Sequence, residues 1–234
     1  MESFDKEHFL SFYQDFKKKF IDSEDYVLCS PEPLPEYGIK SQEFYMVDYA
    51  TSKLKYIEEE TNNGLILEFG VNVGHSINTI ALNMPDDIIY GFDSFEGIPE
   101  AWIEYKIDGT KSGREFYPKN GMTLNKEPPK VKDNVKLIKG WFKDVLPEFM
   151  KYNNKPIKFM HIDCDIYSST KDIFASVKNN IVNGTIIVFD ELFMGEDIYN
   201  EFKAFYEFLQ ETKYNFEVIG RNKGHTQWII KIII

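Results

Sequence analysis

Four short apolar runs close on acidic residues, and that arrangement restricts the fold of this chain more than any other feature. They are Leu65-Ile-Leu-Glu68, Ile88-Ile-Tyr-Gly-Phe-Asp93, Phe159-Met-His-Ile-Asp163 with Asp165 two residues on, and Ile186-Ile-Val-Phe-Asp190-Glu191. Buried strands of Ile, Val and Phe gain no stability from carboxylates, and burying an unpaired one is costly. Acids at four such ends therefore mark a site along one edge of a sheet.

Between these runs the apolar spacing turns helical. Strand 65–69 precedes a helix from about residue 75; strands 88–92 and 135–138, a helix near 142–152, strand 157–163, a helix near 169–180 and strand 185–189 follow. A last helix over 197–212 leads to strands 216–219 and 227–232, joined by the turn-rich segment Gly220–Gly224 as an antiparallel edge hairpin. The alternation predicts an α/β fold: a mostly parallel seven-stranded, Rossmann-like sheet with helices on both faces and a C-terminal antiparallel hairpin.

Upstream, Phe9, Phe12, Tyr13, Phe16 and Phe20 recur at helical spacing. Such a stripe packs on a core or on a second copy, and a homodimer is the expectation. Pro31, Pro33 and Pro35 make a connector, and a helix runs from the N-cap candidate Ser41 to the stop at Asn62-Asn63-Gly64. Residues 1–40 are thus an extension and 41–234 the main domain. Segment 95–134, with Trp102, Tyr105, Phe116, Tyr117, Pro128 and Pro129, is too long for a plain crossover and reads as a lid.

With 234 residues, 43% of them hydrophobic, the chain can bury one sizeable core. A net charge of −11 and a pI near 4.9 argue against a nucleic-acid surface, and Lys17-Lys18-Lys19 is the one basic run. Cys29 and Cys164 form no disulfide framework, so a reducing, cytoplasmic setting is expected. The N-terminus is charged from Glu2, and no apolar stretch approaches the roughly 18 residues of a membrane span.

The first chemical motif is Glu68-Phe69-Gly70-Val-Asn72-Val-Gly74-His75-Ser76 at a strand-to-helix junction, where glycine lets the backbone turn tightly and approach a ligand. Asp93 follows about 25 residues after Glu68, the distance at which a nucleoside-binding sheet sets a carboxylate on ribose hydroxyls. A dinucleotide would need G-x-G-x-x-G. Gly70 and Gly74 instead fit the E-x-G-x-G-x-G loop that takes S-adenosylmethionine, with Asn72 in place of the middle glycine. Asn is among the residues that best tolerate the left-handed backbone.

Asp163 and the pair Asp190-Glu191 would meet at the C-terminal edge of adjacent strands. Clustered carboxylates without paired Cys or His suit Mg²⁺, Mn²⁺ or Ca²⁺ rather than Zn²⁺. N-capping accounts for Asp165 or Ser168, but for neither Asp163 nor the doubled acid.

Taken in order, Glu68-Phe-Gly70, Tyr90-Gly-Phe-Asp-Ser-Phe-Glu-Gly-Ile-Pro99, Gly140-Trp-Phe-Lys-Asp144, His161-Ile-Asp-Cys-Asp-Ile-Tyr-Ser-Ser-Thr-Lys171 and Val188-Phe-Asp-Glu191 resemble the macrocin O-methyltransferase family, from about residue 40 to 220. The resemblance implies a class I methyltransferase that uses S-adenosylmethionine and a divalent metal, commonly Mg²⁺, to methylate a hydroxyl, often on a sugar. It further implies that Glu68, Phe69, Gly70, Gly74 and Ser76 form the methionine side of the cofactor site. Asp93 and Ser94 then hold the ribose, Gly140, Trp141 and Phe142 flank the adenine, and Asp163, Asp190 and Glu191 hold the metal. Glu191 departs from the family's usual Asp or Asn.

Methyl transfer from a sulfonium needs an aligned and activated acceptor oxygen. Catechol-type relatives place a lysine three residues after the first metal acid, and Ile166 stands there instead. The candidate bases are Asp163, as ligand and base together, and then Asp165; His161 points to the same side of the strand but reads more readily as a core residue. His75 is expected near backbone or cofactor, and His225 in an exposed turn. Lys106, Lys111 and Arg114 are candidates for the diphosphate of a nucleotide-linked sugar from polysaccharide or natural-product assembly. The alternatives are an N-methyltransferase of the same fold, an NAD(P)-dependent oxidoreductase, which lacks its diphosphate loop here, and a non-catalytic binding domain.

Overall fold

The computed structural model describes residues 4–23, 45–53, 61–124, 127–222 and 224–234. Cys29, the proline-rich connector and Ser41 lie outside them. Nine strands and six α-helices are set out along these residues.

The sheet elements are β1 (Leu65–Phe69), β2 (Ile89–Asp93), β5 (Val135–Lys139), β6 (Ile157–Ile162), β7 (Ile181–Phe189), β8 (Asn215–Arg221) and β9 (Trp228–Ile233). Their order is β5-β2-β1-β6-β7-β9-β8. The first five strands are parallel and β9 runs antiparallel between β7 and β8. The predicted fold class is therefore the observed one. From β1 the chain steps outward on one side to β2 and β5, then returns to the other side with β6. The sheet's direction of growth reverses between β1 and β6, where ligands of open α/β sheets bind.

Side chains alternate between two cores, as the two-residue period of a strand requires. Leu65, Leu67, Phe69, Met160, Ile162, Ile187 and Phe189 face one core, with α1 (Lys6–Phe16), α4 (Phe142–Tyr152), α5 (Tyr167–Val177) and α6 (Glu201–Thr212) over it. Ile66, Phe159, Ile186 and Val188 face the other, covered by α2 (Tyr45–Lys53) and α3 (His75–Asn83).

The N-terminal stripe is buried by the chain itself. Phe9, Tyr13, Phe16 and Phe20 lie in the larger core, Phe16 with ring centroids 5.3 Å from Phe202 and 5.1 Å from Trp228. Asp5 caps α1 by accepting the His8 N–H at 3.0 Å, and Lys17–Ile21 continues it as a π-turn. The face that suggested a second copy is thus already covered.

Segment 95–134 is more ordered in form than the loop expected. It carries a hairpin of β3 (Trp102–Tyr105) and β4 (Lys111–Tyr117), with Trp102 opposite Tyr117. Trp102 packs with Ile98, Ile166, Phe116, Met122 and Met194. Asp197 ties the hairpin to the main fold, accepting N–H groups from Tyr105 at 3.1 Å and Tyr199 at 2.8 Å. Ser168 adds a 2.6 Å hydrogen bond to Glu100. Among the described residues, no helix is long and apolar enough to cross a membrane.

Candidate active site

The strand ends are laced to one another. Backbone N–H groups of Gly140, Gly70, Asp163 and Asp190 donate to the carbonyls of Asp93, Phe92, Phe69 and Ile162 at 2.9–3.0 Å. This ladder sets the five parallel strand ends side by side. A cavity of about 460 Å³ opens along it, lined by Gly70, Asn72, Asp93 and Ser94, by Gly140, Trp141 and Phe142, and by Asp163, Cys164 and Asp165. Ile98, Pro99 and Met122 of segment 95–134 also line it.

Gly70 occupies the point of reversal. Its φ is +91°, and a Cβ there would lie 1.7 Å from the Asp163 carbonyl oxygen, so only glycine lets β1 and β6 close this tightly. Asn72 also takes a left-handed φ, +45°. The Asp93 carboxylate organises the same loop: Oδ2 accepts from Val71 N–H at 3.0 Å and Asn72 N–H at 2.9 Å, and Oδ1 from Phe95 N–H at 2.7 Å. Ser94 is turned to its own segment, donating to the Gly97 carbonyl and accepting from Glu96 N–H.

Other sequence candidates lie behind the cavity wall. Glu68 is fully buried and accepts from the Ser76 hydroxyl at 3.1 Å, with His161 Nδ1 at 3.1 Å from its other oxygen. Burial raises the Glu68 pKa even against those two bonds. His161 therefore partners Glu68 rather than the strand-end acids, and its Nε2 is buried without a partner. Phe69 stacks on Phe92, with centroids 5.4 Å apart, and Gly74 N-caps α3. His225 is half-buried rather than exposed; burial is the first cause that lowers its pKa.

Three acids at the strand ends are close enough to share an ion: carboxylate oxygens of Asp163, Asp165 and Glu191 lie within 4.8 Å of one another. Asp190, expected with Asp163 and Glu191, accepts a hydrogen bond from Gln227 Nε2 just before β9, and its charge bears on Asp163, Asp165 and Glu191 alike. Asp165 joins because its φ of +66° and a 2.7 Å bond from Ile166 N–H to the Cys164 carbonyl close a three-residue γ-turn. This hand of γ-turn is rare, and a non-glycine residue held so costs about 1–3 kcal/mol.

The acids crowd one another. Burial, then the charges of Asp190, Asp165, Glu68 and Glu201, raises Asp163 well above the carboxylate range. Burial with Asp190 and Asp93 pushes Asp165 up to about 7. Glu191 rises for the same reasons, burial first, and its Oε2 is buried with no partner. Hard oxygens spread over 4.8 Å are within the span of one ion with bonds of about 2.3–2.6 Å, and a divalent ion would relieve this repulsion. The donor set fits such an ion.

Lys106, Lys111 and Arg114 are absent from the cavity wall: Arg114 lies 3.7 Å from Glu104 and over the Phe116 ring. The cations that do line it are Lys119 and Lys143. Glu201, which no sequence motif singles out, is buried against the same turn.

A model of the macrocin-O-methyltransferase (TylF) family matches residues 47–214, most of the chain. Among solved structures, the calicheamicin methyltransferase CalS11 is 16% identical with a TM-score of 0.59, over 99% of this chain and 94% of that one. An apo structure of CalS11, described as a TDP-rhamnose 3'-O-methyltransferase, is 18% identical with a TM-score of 0.54, over 99% and 96%. The O-methyltransferase NovP is 18% identical with a TM-score of 0.56, over 81% of this chain and 80% of that one. At these identities the likeness establishes the fold. No curated protein sequence matches the chain. The family match and the cofactor-type loop at the sheet's point of reversal agree: the chain belongs to the macrocin O-methyltransferase (TylF) family of S-adenosylmethionine-dependent O-methyltransferases.

Proposed function

We propose that this enzyme methylates a hydroxyl of a sugar, nucleotide-linked or part of a glycan, with the aid of a divalent cation. The observation that carries the reading is the meeting, in one cavity, of the glycine loop and Asp93 with the carboxylates of Asp163 and Asp165. CalS11, the TDP-rhamnose enzyme of the same fold, supports a sugar acceptor.

In this reading the Gly70 loop, Asp93 and the Gly140–Phe142 segment hold the methyl donor, and Asp163, Asp165 and Glu191 hold the cation. Bound there, Mg²⁺ or a similar ion would make a weakly acidic hydroxyl easier to deprotonate. The protein's own work is alignment, which can supply up to roughly 7–11 kcal/mol. Ile98, Pro99 and Met122, which line the cavity, would limit water on the acceptor side, and Ile166 leaves no lysine base. Asp163, and after it Asp165, receives the hydroxyl proton as the methyl group moves in line from sulfur to oxygen.

Calorimetry of S-adenosylmethionine with and without Mg²⁺, followed by methyl transfer to a panel of nucleotide sugars read by mass, tests this. We expect transfer that a chelator abolishes. Asp163→Asn should lower turnover by about a hundredfold or more and Asp165→Asn by about tenfold. Equal, mild losses in both would sink the assignment, and undiminished transfer in the chelator would remove the cation.

A further inference from the structure

The turn that carries the strand-end acids is held from below by a carboxylate on another element. Glu201, in the first turn of α6, has no exposed surface. Its Oε1 accepts the Cys164 N–H at 3.4 Å and lies 3.9 Å from Cys164 Sγ. Its Oε2 is buried without a hydrogen-bond partner. Thr170 completes the clasp: its hydroxyl meets Cys164 Sγ at 3.4 Å and donates to the Ile166 carbonyl at 3.1 Å.

For stability alone this is a poor place for an acid. Its strongest charged neighbours, Asp165 and Asp190, carry its own sign, and the N-terminus of α6 offers only a partial positive charge. What the carboxylate does supply is an acceptor for the Cys164 N–H, at the first residue of a strained turn. A left-handed non-glycine residue persists only where its surroundings hold it, and Asp165 is such a residue.

We infer that Glu201 is a positioning residue for methyl transfer: by accepting the Cys164 amide it fixes the turn from which Asp163 and Asp165 reach the cavity. The inference rests on the proposed function only for what those two acids do. The structure requires an acceptor of the right reach and not a negative charge, which separates three substitutions. Glu201→Gln keeps both the reach and a carbonyl oxygen. Glu201→Asp keeps the charge but is one methylene short. Glu201→Ala keeps neither.

The test is amide hydrogen exchange at Cys164, together with Mn²⁺ affinity by calorimetry and S-adenosylmethionine affinity, in the full chain. In Glu201→Asp and Glu201→Ala we expect the Cys164 amide to exchange about 10- to 100-fold faster while Met160–Ile162 are unchanged. Mn²⁺ affinity should fall by roughly tenfold with cofactor affinity nearly constant, and Glu201→Gln should behave like the wild type. If Glu201→Ala does not fold, the Asp and Gln variants decide the matter. Glu201→Asp intact with Glu201→Gln impaired would overturn the inference in favour of a charge effect, and loss of protection throughout β6 would reduce Glu201 to a structural role. A wild type that binds no Mn²⁺ would end the cation reading, while the exchange pattern would still decide this one.

Discussion

Gly70 carries no reactive group, yet it governs how closely β1 approaches β6. With a φ of +91° and the Asp163 carbonyl 1.7 Å from where a Cβ would stand, Gly70→Ala must separate the two strand ends. We expect a loss of about 3 kcal/mol or more from strain and displacement, seen in thermal denaturation, and a parallel loss of cofactor affinity in calorimetry. The position was legible in the sequence because a glycine straight after an acid-ended strand marks a tight turn beside a ligand. Asp93 was legible as the acid that ends the next strand, about 25 residues after Glu68, although its present partners are the amides of Val71, Asn72 and Phe95. That Asp165 comes within reach of Asp163 and Glu191 was not legible as a shared ligand position. It depends on a left-handed φ at Asp165, and the hydrogen bond to Asp190 depends on Gln227, which arrives from the far end of the chain. Glu201 escaped notice because a glutamate in a first helical turn is ordinary until something is packed beneath it.

Among the elements, α4 falls at 142–152 as its spacing predicted, and the seven-stranded sheet follows from runs whose apolar period is clear. The β3–β4 hairpin was hidden because β4 is largely exposed and shows no apolar alternation. Its place is set by Asp197, 92 residues from Tyr105, and no local pattern encodes that contact. Burial pushes Asp197 up to about 6, against its bonds from Tyr199, Tyr105 and Asn200. A carboxylate raised above its unfolded value binds its proton more tightly in the folded state. Its contribution is therefore most favourable at low pH and falls as pH rises from about 4 to about 6, then levels off. In Asp197→Asn this slope should vanish. The wild-type minus variant stability, from urea denaturation across that window, should decline by up to about 3 kcal/mol. A flat difference would mean that Asp197 remains solvated.

On the scale of the whole molecule, α1 packs over β8 and β9. Phe16 touches Phe193, Phe202, Phe216 and Trp228, so Phe16→Ala should cost about 3–5 kcal/mol in chemical denaturation. A cost below about 1 kcal/mol would show that the helix is a detachable extension. The aromatic stripe was plain in the sequence, but a stripe does not name its partner, and here Phe9, Tyr13, Phe16 and Phe20 are covered by the chain's own residues.

That partner has a consequence for synthesis. Arg221 donates from Nε to the carbonyl of Phe20 across 201 residues, and the rings that cover α1 lie in the same late stretch of chain. At roughly 5–20 residues per second, the helix spends about 10–40 s outside the ribosome before its cover exists. During that interval its four buried aromatic rings face solvent or a chaperone, and a chain that stalls before α6 leaves them bare. The yield of folded enzyme should thus depend on how fast the last quarter of the chain is made.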